Sequence, residues 1–103
     1  MSQEGKVTAD CVILSPRESL VAGAAEAFER RLQQVFRGPS RHLVVDLSGV
    51  DSIDSTGLRV LVRAHTTGER VGGSLRLAAL QPAVLDRLEN AHLAGIFDLL
   101  WFG

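Results

Sequence analysis

Short apolar runs alternate along this chain with longer stretches of helical periodicity, and that switching of period limits the fold more than any other feature. Cys11-Val12-Ile13-Leu14 is a brief apolar run ending at Pro16, the length of a strand. From Val21 the period changes. Val21, Ala24, Ala25, Phe28, Leu32, Val35 and Phe36 recur at three and four, an amphipathic helix closed by Gly38-Pro39. His42 to Leu47 carries three consecutive apolar residues, which suits a strand covered on both faces.

A loop rich in turn residues, Ser48 to Ile53, follows. A second helix starts at about Thr56, with Leu58, Leu61, Val62 and His65 on one stripe, and ends between Gly68 and Gly73. Ser74 to Ala79 alternates like a strand. Pro82 suits the first turn of a third helix, whose apolar face is Val84, Leu85, Leu88 and Ala91. Residues 96–102, ending in Trp101-Phe102, read as a last strand. The order is β-α-β-α-β-α-β, an α/β domain with a largely parallel sheet and right-handed crossovers. Residues 1–9 read as a tail or short edge strand, and residues 10–103 as one domain.

Composition removes several functions. The formal net charge is −1, which gives no electrostatic case for nucleic acid. A lone cysteine, Cys11, cannot form an internal disulfide and reads as inert core, with redox sensing the minor alternative. No apolar run reaches the roughly 18 residues of a membrane helix. The N-terminus MSQEGKVTAD lacks a signal-peptide core, so the expected location is the cytoplasm, without membrane insertion.

Chemistry concentrates in Val50-Asp51-Ser52-Ile53-Asp54-Ser55-Thr56-Gly57-Leu58, between the most apolar strand and the second helix. In open α/β sheets this end of the strands meets ligands and partners. Asp54 or Ser55 is placed as an N-cap, and capping alone would select such a segment. The helix start also favours negative charge. Gly57 serves either close packing or the approach of a partner. Arg59 and Arg63, one turn apart, form a solvated face or a contact for an acidic partner.

Other chemistries fit poorly. Asp46, Asp51 and Asp54 have no histidine or cysteine at ligand spacing, so no metal is expected, nor any cofactor. A phosphoaspartate receiver needs a late lysine, and Lys6 is the only lysine. The Gly-x-Ser-x-Gly elbow and the Gly-x-x-x-x-Gly-Lys phosphate loop are absent. His42, His65 and His92 read as strand-edge or helix-stripe residues rather than general bases. No catalytic residue is assigned, and the chain is not expected to be an enzyme.

The segment from His42 to Leu58, a strand ending Asp-Leu, a loop and then Asp-Ser-Thr-Gly-Leu, resembles the signature of STAS domains of bacterial anti-sigma factor antagonists. Gly72-Gly73-Ser74-Leu75-Arg76-Leu77 and Pro82-Ala83-Val84-Leu85 are similar to that family's next strand and helix. The likeness covers roughly residues 42–100. It implies a STAS-like fold and makes Ser55 the phosphoacceptor of an anti-sigma factor that is also a serine kinase, reset by a serine phosphatase. It implies that the unphosphorylated form binds the anti-sigma factor and releases a sigma factor. Asp51, Asp54, Ser55, Thr56, Gly57, Leu58 and Arg59 would then form the partner surface. Thr56 is the rival acceptor.

Two departures stand out. Glu18-Ser19-Leu20-Val21 stands where the family carries Gly-Glu-Leu-Asp. The family's C-terminal helix is expected to be absent, leaving an apolar face around Leu99 and Trp101 for a homodimer contact or for the N-terminal residues to cover. A different STAS role is the alternative: accessory subunit of a membrane ABC transporter, or scaffold of a stress-signalling complex.

Overall fold

The computed structural model describes residues 4–7 and 11–100. The elements run β1 Glu4–Val7, β2 Val12–Ser15, α1 Ala22–Arg37, β3 His42–Asp46, α2 Ser55–Arg70, β4 Ser74–Ala78, α3 Pro82–Asn90, a 3-10 turn at Ala94–Ile96, and β5 Asp98–Leu100. They form one five-stranded sheet in the order β1-β2-β3-β4-β5. β1 is antiparallel to β2, and β2 through β5 are parallel. The extra N-terminal strand therefore exists, as an antiparallel edge.

Each β-α-β step moves to the next strand in the same direction. Right-handed crossovers then place every helix on one face of the sheet. Burial follows. Val12, Leu43 and Leu75 lie in register across three strands, as do Leu14, Val45 and Leu77, and all six are buried. Phe28 and Leu32 of α1, Leu61 of α2, and Val84 and Leu88 of α3 close over them. Each such side chain contributes about 1.5–3 kcal/mol by leaving water.

The opposite face corrects one expectation. Val44 is only half-buried and lies in register with Ile13, with the exposed Arg76 and, on β5, with Asp98. β3 is thus covered on one face among the described residues, not two. Pairs of polar side chains line the open side: Ser15 Oγ donates to Asp46 at 3.2 Å, His42 Nδ1 lies 2.9 Å from Ser74 Oγ, and Arg76 meets Asp98 at 3.7 Å.

The C-terminal segment is also corrected at its start. Residues 94–96 form the 3-10 turn, and the strand begins at Asp98, after the buried Phe97. Trp101 and Phe102, and with them the proposed C-terminal face around Trp101, lie outside the described residues.

Two helices end in the same motif. After α2, Gly72 at φ +78° lets its own N–H reach Glu69 O while Gly73 N–H reaches Gly68 O at 2.7 Å. After α3 the left-handed residue is His92, at φ +60°, with Leu93 N–H bonded to Leu88 O at 2.8 Å. A side chain occupies there a conformation that glycine takes without strain.

Candidate functional site

Residues 47–54 leave the C-terminal end of β3 and are pinned from three directions. Leu47 N–H donates to Ala78 O at 2.9 Å, fixing the loop's start to β4. From α3, Gln81 Nε2 donates to Ser48 O at 2.7 Å and Arg87 Nε to Ile53 O at 3.1 Å. The third anchor is the loop between β2 and α1. Leu20 pairs with Ile53 as an isolated parallel bridge, with Leu20 N–H donating to Ser52 O at 3.0 Å and Asp54 N–H to Leu20 O at 3.3 Å. Both side chains are buried.

Serine hydroxyls extend that third anchor. Ser19 Oγ donates to Asp51 Oδ1 at 2.8 Å and accepts from Ser52 Oγ at 2.8 Å. Two glycines permit the close approach. A Cβ on Gly49 would lie 2.9 Å from Pro16 O, and one on Gly57 would lie 2.2 Å from Leu20 O. Packing is therefore what Gly57 serves.

Asp54 is the N-cap of α2. It has extended backbone angles, and its Oδ1 accepts from Gly57 N–H at 2.9 Å. Its other oxygen, Oδ2, accepts from Ala22 N–H at 3.1 Å. Ala22 opens α1 with φ +45°, and the N-cap residue there, Val21, makes no side-chain capping bond. One carboxylate thus serves the starts of two helices. The Gly57 N–H holds Asp54 below the ordinary carboxylate range, helped by Ala22 and Thr56 and opposed by partial desolvation.

Asp46 is also lowered. Desolvation pushes it up, but the Ser48 amide and hydroxyl, the Ser15 hydroxyl and the Arg17 charge together outweigh that.

Ser55 is the first residue of α2, exposed, directly after the cap. Asp51, Ser52 and Arg59 are exposed beside it in sequence, while Asp54 and Thr56 are half-buried. Gly57 and Leu58 are buried, so they support this surface from beneath. Arg63 reaches across to Glu29 of α1 at 3.2 Å. Sequence reasoning noted Ser19 and Leu20 only as part of a departure from the family's motif, without their contacts to residues 51–54, and missed Ala22. The serines near Asp51 were a faint signal for the hydrogen-bond chain, and nothing local marks the backbone bridge.

The histidines are engaged elsewhere: His42 with Ser74, His65 3.6 Å from Glu69 and edge-on to Phe97, His92 at the end of α3. Among the described residues, no three His, Cys, Asp or Glu side chains are grouped to hold a metal ion. No helix among them is long and apolar enough to cross a membrane.

Comparison with known proteins gives one consistent likeness. A family model described as the STAS domain matches residues 3–102. A Thermotoga maritima protein described as an anti-sigma factor antagonist superposes with a TM-score of 0.85 at 27% identity, over 95% of this chain and 85% of that one. The anti-sigma factor antagonist SpoIIAA, in its unphosphorylated form, superposes with a TM-score of 0.82 at 17% identity, over 98% and 88%. The murine solute carrier 26 member A9 anion transporter superposes at 0.69 and 20% identity, over 82% of this chain and 14% of the transporter.

Proposed function

The chain belongs to the STAS domain family, and from that premise we propose that it is an anti-sigma factor antagonist switched by phosphorylation of Ser55. Unphosphorylated, it binds an anti-sigma factor that is also a serine kinase, and so frees a sigma factor. A serine phosphatase resets it. It acts by binding, not by catalysis, and in the cytoplasm.

One observation carries this reading: an exposed serine hydroxyl stands at the first position of α2, immediately after a carboxylate already committed to the helix amides. Phosphorylation there adds about −1.5 to −2 charges. The new charge sits beside the Asp54 carboxylate at the start of α2. The anchors on residues 47–53 from β4, α3 and the β2–α1 loop hold the rest of the domain in place. A partner docked over Asp51, Ser55 and Arg59 meets the full charge. Like-charge contact in an interface costs several kcal/mol, and about 4 kcal/mol is roughly a thousandfold in affinity.

The test is to capture partners from the host with the unmodified chain, Ser55→Ala and Ser55→Asp, each folded by circular dichroism. The expected result is an anti-sigma factor retained by the first two and lost by Ser55→Asp. Phosphopeptide mapping after incubation with the captured kinase should place phosphate on Ser55. Modification mainly at Thr56, Ser48 or Ser52 would refute the assignment.

The likeness to part of an anion transporter motivates a second reading, an accessory subunit of a membrane transporter. That role predicts copurification with an ATPase subunit, whatever the state of Ser55.

A further inference from the structure

The two oxygens of Asp54 end on different helices, at Gly57 N–H of α2 and Ala22 N–H of α1. α1 has no cap of its own. Val21 stands at its N-cap and offers no acceptor side chain. Ala22 meanwhile sits at φ +45°, a region that an L side chain occupies only when its surroundings enforce it. The Asp54 carboxylate accepts from the Ala22 N–H, and the Leu20–Ile53 bridge lies just before it in the chain. The exposed Ala22 and Gly23 follow directly, and a Cβ at Gly23 would meet nothing within 4 Å. The first turn of α1 is therefore open surface held by a residue next in sequence to Ser55.

We propose that Asp54 is a positioning residue that couples Ser55 to the first turn of α1, so that charge on Ser55 loosens Ala22 and Gly23 and alters both helix starts at once. This rests on the phosphoswitch reading above. A phosphate on Ser55 repels the adjacent carboxylate and competes for the amides of the first turn of α2. As Asp54 yields, Ala22 N–H loses its acceptor and relaxes from the left-handed region. The switch then acts on a partner in two ways, by charge beside α2 and by loss of a preformed surface at the start of α1. The lowered pKa of Asp54 agrees with a carboxylate tied by amides on both helices.

Amide hydrogen exchange on the full chain tests the coupling without any partner, comparing serine with phosphoserine incorporated at position 55. The Ala22 amide is expected to exchange about tenfold faster in the phosphoserine protein, the scale of one lost charge-assisted hydrogen bond, while Leu61 and Leu77 stay unchanged. Asp54→Asn supplies the second arm. Asparagine remains a good N-cap but its amide nitrogen cannot accept a bond. Ala22 should lose protection by a similar factor with Gly57 still protected, and phosphoserine at position 55 should then add nothing further at Ala22. Equal exchange at Ala22 in serine and phosphoserine proteins would overturn the coupling, as would loss of protection at Gly57 and Ala22 together in Asp54→Asn. Failure here leaves charge exclusion at Ser55 standing. Failure of kinase and partner capture would instead remove the switch while leaving the Asp54 tie between the helices intact.

Discussion

Gly57→Ala is the substitution whose sign the structure decides most sharply. Alanine is favoured over glycine inside a helix by about 1 kcal/mol, so helix propensity alone predicts a gain. The structure predicts a loss. An added Cβ would sit 2.2 Å from Leu20 O and 2.6 Å from Ile53 Cγ1, where ordinary contact begins near 3.4 Å. Leu20 cannot easily retreat: it is 1% exposed, and its N–H and C=O both bond to the loop before α2. Overpacking against such a neighbour costs about 3 kcal/mol. The net is destabilisation by about 2 kcal/mol, which for a domain of this size lowers the melting temperature by about 8–16 °C. Gly23→Ala is the control. It lies in the first turn of α1 with nothing within 4 Å of its new Cβ, so it should gain about 0.5 kcal/mol. Thermal and urea unfolding of both variants would measure the difference. A Gly57→Ala protein as stable as the parent would refute the close approach of α2 to Leu20.

His92→Gly should stabilise the chain by about 1 kcal/mol, because the left-handed position after α3 then carries no Cβ; an unchanged urea midpoint would contradict that assignment. Asp46 and Asp54 are both lowered in the folded state, so between about pH 4 and their folded values the unfolded chain binds more protons. Stability should therefore hold above about pH 4 and fall as the pH drops through that window. Asp46→Asn should flatten the acid limb of the urea midpoint against pH, and an unaltered limb would show that its hydrogen bonds do not matter.

What the sequence revealed and hid divides along physical lines. α1 was legible because Ala25, Phe28, Leu32 and Phe36, at helical spacing, are the residues it buries. The cap before α2 was legible because a capping side chain acts within three residues of itself. The exposure of Val44 was not, since three apolar residues in a row look alike whether a strand is covered once or twice. The start of β5 was misplaced because Ile96-Phe97 are apolar yet end a 3-10 turn. Leu20–Ile53, Ser19–Asp51 and Ala22–Asp54 join residues more than thirty positions apart, and no local pattern encodes such pairs. Gly57 was ambiguous for the same reason: the atom that excludes a side chain there belongs to Leu20. The fold followed from periodicity, and the site's rigidity came from contacts between loops.

Most direct of all is a titration of the captured anti-sigma factor with this chain in two forms, Ser55 unmodified and Ser55 carrying phosphate, both shown to be folded. The account predicts that phosphate weakens binding by about a thousandfold, the equivalent of about 4 kcal/mol. Equal affinity of the two forms would contradict it.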